Sequence, residues 1–426
     1  MQNRLAAIII FFIIFIPFQI HGQKLVNSPF GRFNLGAMEP AGSFRSIGMG
    51  GIATAVRDNS SIYFSNPASY SSLDTNSFVF DFGLDYGINI LSDGSTRHFS
   101  DDINFDHLLI GFPIARRWGV AAGIIPVSNG YYSISQMIKK GDSEYDPLIG
   151  EYTEYHFGDG SISDFFMGTG INFTKNFSAG INMTLLFGSL NRVNQFTFAD
   201  YRNTYQDNST ETFRISGLNL DYGLQYNASL KKDFFINLGA SMSNGKNYKS
   251  KFEKLAFRYN YYGAKDTLFY TSDNSTKAHL PGTIRMGLSF GKKNKFVAGF
   301  DYIMTKWSEA KFHGSEGYLG DTRSMLLGVE YIPDKFSNYS FLKRMEYRVG
   351  CHIEDNYLVI DGEQIKETGI SIGFGIPMRR SLSKTNVFFD FTRRSGASER
   401  IHKENCITMG ASLNLYDRWF IKRKYD

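Results

Sequence analysis

Two Gly-x-Ser-x-Gly sequences, Gly287-Leu288-Ser289-Phe290-Gly291 and Gly369-Ile370-Ser371-Ile372-Gly373, hold the residue types of a serine nucleophile. That chemistry needs a sharp strand-to-helix turn to lift the hydroxyl, with a histidine base beside it. Both sequences lie instead inside runs of alternating apolar residues, with no helical pattern after them. A barrel lipase assembles its serine and base from separate strands, and His107, His156 and His352 are the histidines it would draw on. Loop or lumen histidines account for them more simply. Gly48-Met49-Gly50-Gly51 approaches a dinucleotide fingerprint, but no strand precedes it and no βαβ unit follows. The eight His are scattered and Cys351 and Cys406 are the only cysteines, so no metal-ligand spacing and no disulfide framework emerges. The expectation is a non-enzyme with no catalytic residue, no metal and no cofactor.

The elements around these residues say more. Met1-Gln2-Asn3-Arg4, an apolar run from Leu5 to Phe18 and Gln19-Ile20-His21-Gly22 read as a secretory signal peptide over 1–22, with Gln23 the mature start. The run is shorter than a membrane anchor needs, and no cysteine follows it to carry a lipid. The 39 Phe, 25 Tyr and 42 Gly sit beside a mean hydropathy of only −0.25. Strands apolar on one face and polar on the other average out in this way. A secreted β-sandwich or solenoid is the soluble alternative. A net charge of +5 is too small to argue for nucleic acid.

Residues 23–76 show no sustained period of two, and Pro67 stops any helix in Ser60–Ser65. A compact irregular domain is expected there. From Ser77 the pattern changes: Phe78, Phe80, Phe82, Leu84, Tyr86, Ile88 and Ile90 alternate with small or polar residues. Similar runs recur to Leu415, about fourteen in all. Short connections such as Ala115-Arg116-Arg117 and Thr174-Lys175-Asn176 alternate with long polar ones such as Ser133–Gly160 and Ser250–Pro281. This is the asymmetry of a bacterial outer-membrane barrel, with turns in the periplasm and loops outside. The fold expected is all-β: a transmembrane antiparallel β-barrel over 77–426 with residues 23–76 as a plug in its lumen. An even strand count puts both termini on the periplasmic side.

Within the third long run, Gly123, Pro126 and Gly130 predict a kink where pairing with a neighbour fails, because proline gives the ladder no donor. A side opening in the wall is one reading; a strand leaving the membrane at its outer rim is the other. Basic residues gather in the turns, including Arg116, Arg117, Lys231, Lys232, Lys292, Lys293, Arg379 and Arg380, and in the tail Asp417–Asp426. Solvation explains them; contact with lipid headgroups or a periplasmic protein is the alternative.

The Gly-rich start with Gly48, Gly50 and Gly51, then Asp58-Asn59-Ser60, then Asn66-Pro67-Ala68 before a long first strand, resembles the FadL-like outer-membrane transporter family. The opening Ser28-Pro29-Phe30-Gly31-Arg32-Phe33 and the ending Asp417-Arg418-Trp419-Phe420 look like its Bacteroidota branch. The resemblance implies passive uptake of long-chain fatty acids or other hydrophobic small molecules, released sideways into membrane lipid at the kinked third strand. It carries Asp58, Asn59, Asn66, Pro67 and Ala68 into a hatch motif and Pro126 into the kink. No motif identifies a ligand site, so Arg45 and Arg57 as partners of a ligand carboxylate are a guess. The same family includes barrels that transport nothing and dock other outer-membrane or periplasmic proteins in secretion or assembly complexes.

Overall fold

The computed structural model describes residues 28–92, 97–199, 204–274, 276–313, 319–378, 381–396 and 403–418. The expected signal peptide, Gln23, Arg379, Arg380 and the tail beyond Arg418 lie outside the described residues. Fourteen antiparallel strands close into a barrel. In chain order they are β1 (Ser77–Ser92), β2 (Arg97–Ala115), β3 (Trp118–Asn129), β4 (Tyr152–Asn172), β5 (Phe177–Phe198), β6 (Gln206–Ser229) and β7 (Phe234–Ser243). They continue as β8 (Thr283–Lys292), β9 (Phe296–Thr305), β10 (Thr322–Tyr331), β11 (Glu346–Ile360), β12 (Glu363–Pro377), β13 (Lys384–Ser395) and β14 (Lys403–Arg418). Pairing of β14 with β1, from Lys403↔Ser92 to Arg418↔Ser77, closes the ring. Closure matters because lipid offers no partner to an open edge.

Period-two alternation sets which side chain meets which solvent. Leu84, Met167, Leu220, Leu238, Met286, Leu327 and Ile370 point outward and are exposed. Their neighbours Asp81, Asn182, Gln225, Asn237, Ser289, Asp301, Glu330 and Ser371 point inward and are buried. A barrel of this size leaves a bore that must be filled.

The polar connection expected over Ser250–Pro281 is mostly extended chain. Lys246–Tyr259 continues β7 and pairs with β6, Lys265–Asp273 pairs back on it, and Lys277–Leu280 leads into β8. Likewise β4 starts at Tyr152, inside the stretch Ser133–Gly160 that reads as loop. Lys265–Asp273 is exposed on nearly every side chain, and where both faces of a strand meet water the alternation that marks a strand in lipid is lost.

Residues Ser28–Asn76 lie inside the barrel. Two short turns of helix pack on the wall: Phe44–Ile47 against β12, β13 and β14, and the 3-10 turn Pro67–Ser72 against β2 to β6. The first described residues reach the long-hairpin rim: Phe30 packs with Tyr357, Leu358 and Ile365, and the Tyr357 hydroxyl donates to the Gly36 carbonyl at 2.5 Å. The last described residue, Arg418, ends β14 at the short-turn rim beside Ser77.

Candidate functional site: the plugged lumen and the opening at the third strand

Asn66-Pro67-Ala68 works as a helix start. The Asn66 side chain accepts from the Ala68 amide at 3.1 Å while Pro67, with no amide hydrogen to satisfy, takes the first position of the turn. The other end of the same amide donates to the Thr54 carbonyl at 2.8 Å and reaches the Leu224 and Ala240 carbonyls of the wall. One side chain thus caps the plug and ties it to β6 and β7. Asn59 donates to Asp74 at 2.7 Å, closing the loop between them.

Arg45, Asp58 and the wall form a buried ionic hub. Arg45 meets Asp58 at 2.6 Å and Glu330 of β10 at 2.7 Å, and Glu330 also accepts from Arg348 of β11 at 2.7 Å. Arg348 and Lys384 then share Glu346. Burial alone would raise the Asp58 carboxyl, but the adjoining Arg45 guanidinium overrides it and holds Asp58 well below the usual carboxylate range. Arg57 donates to Gln225 at 2.7 Å and Ser178 at 2.8 Å, with Ser71 at 3.0 Å; burial pulls it down to about 10. Both arginines therefore spend their donors on protein acceptors near the short-turn rim.

Wall glycines seat the plug. Gly119, Gly170, Gly180 and Gly223 are cross-strand partners in succession on β3, β4, β5 and β6, and Gly299, Gly328 and Gly350 repeat this on β9, β10 and β11. Side-chain carbons added at Gly170 and Gly180 would overlap the backbone of Pro67, at Gly239 that of Thr54, and at Gly350 that of Gly50. Glycine in a strand often marks such close approach of another backbone. Gly50 and Gly51 on the plug side have φ of +69° and +90°, and the Gly50 amide donates to Ser371 at 2.8 Å. Gly48 packs against Gly373.

Toward the other rim the wall changes. The β2–β3 ladder runs from Ala115↔Trp118 to Leu108↔Ile124 and stops. Asp106, two residues beyond Leu108, is the extra residue where β1 and β2 shift register. Beyond Pro126, β3 turns to the interior, where Ser128 and Asn129 pair with Met38 and Ala37 of the plug. The Glu39 amide donates to the Val127 carbonyl at 3.0 Å. Strand Tyr132–Ile138 then takes the place beside β4, paired on that side alone. Among the described residues no strand pairs with β2 on its β3 side above Leu108. Gly123 is tightly enclosed by Leu108, Leu109 and Phe166, and the Gly130 amide donates to the Gly160 carbonyl at 2.9 Å.

A cavity of about 510 Å³ lies behind this break, lined on one side of it by Asp102, Asn104 and Asp106 and on the other by Ile125, Pro126 and Val127. Glu39, Met38 and Phe64 of the plug line it as well, and it extends across the bore to Asp221, His352 and Arg394. Burial, together with nearby Asp106 and against a hydrogen bond from Asn129, pushes Glu39 up to about 7. Ser289 and Ser371, the centres of the two Gly-x-Ser-x-Gly sequences, hydrogen bond the plug backbone at Ala55 and Gly50. His107 sits between Asp81 and Asp106, His156 beside Glu154 and Asn194, and His352 beside Thr392. Among the described residues no group of acidic, His or Cys side chains is placed to hold a metal ion.

No curated protein matches the chain. Solved structures do match over nearly the whole length. The CymD monoaromatic hydrocarbon channel is 15% identical over 92% of this chain and 99% of that one, with a TM-score of 0.57. The P. putida toluene transporter TodX is 13% identical over 91% and 100%, with a TM-score of 0.58. A Pseudomonas aeruginosa FadL homologue is 11% identical over 90% and 99%, with a TM-score of 0.59. These likenesses establish a shared fold, that of FadL-type outer-membrane channels. The family model described as BamG matches residues 4–426, and with nearly every residue inside that match the chain belongs to the BamG family.

Proposed function

We propose that this barrel is an outer-membrane channel for passive movement of hydrophobic small molecules, which enter the cavity from the long-hairpin side and leave laterally between β2 and β3. The observation that carries the reading is the end of the β2–β3 ladder at Leu108↔Ile124 with a cavity directly behind it. An apolar solute gains by passing straight into lipid instead of crossing water. The seated plug supports the same route, because glycine-to-backbone contact and the Arg45–Glu330 pair leave little room for an axial path. Gly123, Pro126 and Gly130 bound the opening on this reading, and Gly48, Gly50, Gly51, Asp58, Asn59, Asn66, Pro67 and Ala68 hold the hatch, residues 23–76. Long-chain fatty acids are the solute class that the FadL resemblance names, and the segments Ser28–Phe33 and Asp417–Phe420 favour the Bacteroidota branch. The test is uptake of a radiolabelled alkane or fatty acid by cells with and without the protein, and with Pro126→Val, which returns an amide donor to the ladder. Uptake that depends on the protein and falls at least tenfold in the variant supports the reading. Uptake indifferent to the protein overturns it.

A second reading, a docking subunit of an outer-membrane assembly or secretion complex, is favoured by one feature. The segment after β10 exposes Phe336, Tyr339, Phe341 and Leu342 at the short-turn rim, beside Lys343 and Arg344. Aromatic and basic side chains together are enriched at protein interfaces and at membrane surfaces alike. Gentle extraction separates the two readings: stoichiometric protein partners that are lost when Phe336 and Tyr339 become serine support docking.

A further inference from the structure

The cavity behind the β2–β3 break has a charge that the solute must answer. Ten acidic residues line it, against two arginines and one histidine. Arg394 is already paired, with Glu367 at 3.1 Å and Glu404 at 3.3 Å. Arg285 lies elsewhere in the lining, within electrostatic reach of Asp221 and Asp301. Beside the break, Glu39, Asp85, Asp102 and Asp106 lie within electrostatic reach of one another. Asp106 is held by His107, but the other three make their hydrogen bonds to amides only: Glu39 to Asn129, and Asp85 and Asp102 both to Asn104, at 3.4 and 2.6 Å. Buried carboxylates are normally paired with a cation or take up a proton. Among the described residues none of these three is in ion-pair contact with a side-chain cation; Arg394, paired with Glu367 and Glu404, reaches Glu39 only through its field.

A second observation points the same way. Asn129 is 8% exposed and lines the cavity, and its amide nitrogen is committed to Glu39, yet among the described residues its side-chain oxygen has no donor. A buried acceptor without a donor costs free energy that a ligand N–H recovers. The carboxylates are not arranged to hold a metal ion, which leaves an organic donor. Next to them Ile125, Pro126, Val127, Phe166 and Leu186 give the cavity an apolar side at the break.

Resting on the channel reading above, we propose that the cavity takes amphipathic amines: an ammonium group held by Glu39, Asp85, Asp102 and the Asn129 oxygen, with its alkyl chain along Ile125–Val127 toward the lipid. A carboxylate head would meet like charge and is disfavoured there. Glu39 lies on the plug and the aspartates on β1 and β2, so the head group would bridge hatch and wall at the opening itself.

The test uses the full chain in phosphatidylcholine nanodiscs with Trp118→Phe and Trp419→Phe, which leave Trp307, a residue of the cavity lining, as the reporter. Dodecylammonium, dodecanol and dodecanoate, each brominated on the carbons next to the head group, are compared as quenchers of its fluorescence. The expected result is half-quenching by the ammonium at a concentration at least tenfold below that of the alcohol, with the carboxylate no better than the alcohol. In Glu39→Gln and in Asp102→Asn the ammonium's advantage should fall toward one, with heat-modifiable gel mobility confirming a folded barrel. A carboxylate that quenches as well as or better than the ammonium overturns the proposal and leaves the channel reading intact. So does an ammonium advantage that both variants retain. If none of the three probes quenches Trp307, the cavity admits no alkyl chain and the channel reading fails with it.

Discussion

Replacing Glu330 with alanine tests what holds the plug. Glu330 is 2% exposed and accepts from Arg45 Nε at 3.0 Å, Arg45 Nη2 at 2.7 Å and Arg348 Nε at 2.7 Å. Two of these three bonds cross from wall to plug. Removing the carboxylate leaves Arg45 with Asp58 and Ser61, and Arg348 with Glu346 and Asn386. Both guanidiniums then stay buried with less counter-charge than before. Breaking a buried ion pair from one side costs about 3–5 kcal/mol, because the remaining charge is stranded. The strand ladders lose nothing, so the loss falls on seating the plug. Its open population should rise about 150- to 5,000-fold. Hydrogen exchange of the Phe44–Val56 amides reads that population directly, while the β5–β6 amides serve as an internal reference that should not change. A double variant with Arg45→Met should exchange more slowly than Glu330→Ala alone, since it removes one of the stranded charges. Exchange of the plug amides within threefold of the parent would refute the argument, and so would a double variant worse than the sum of the two single ones.

Other outcomes follow from the same contacts. Gly239→Leu places a side chain where the Thr54 carbonyl sits; protease cleavage within the plug should accelerate by at least tenfold, with the closed barrel still resisting unfolding on a gel. Glu39 titrates upward on folding, so the folded protein binds more protons than the unfolded chain between about pH 4.5 and 7, and this residue's contribution to stability falls as pH rises through that window. Asp106, Asp102 and Arg394 share its field; Glu39→Gln should flatten that part of the melting-versus-pH curve. Asp58 works in the opposite direction. Its contribution is present above the ordinary carboxylate range and is lost as pH falls through its depressed value, so acid should loosen the plug, and Asp58→Asn should remove that step. Tyr357→Phe removes the donor to the Gly36 carbonyl, and exchange at Leu35–Ala37 should rise about tenfold, reflecting roughly 1.5 kcal/mol for one buried hydrogen bond.

Alternation from Phe78 to Ile90, and its recurrence to Leu415, determined by itself that the chain is a barrel of about fourteen strands, because two solvents act on two faces of every strand that crosses lipid. The same cause limits the sequence's reach: Lys265–Asp273 is exposed on nearly every side chain, so no alternation marks it and the strand reads as loop. Asn66-Pro67-Ala68 was legible as a motif, since capping is a local matter of Asn and Pro types; that the Asn66 amide also reaches β6 and β7 was not. The end of the ladder lies between Gly123 and Pro126, residues whose backbone chemistry marks them in the sequence. Arg45 carries no local sign of Glu330, 285 positions away. The wall glycines were visible only as an excess of one residue type. Their alignment on Pro67, Thr54 and Gly50 depends on register, and register is set by the closed ring of strands. Tertiary structure alone brought Glu39, Asp85 and Asp102 to one face of one cavity, because a plug and two strands had first to be folded against each other before their charges could share a space.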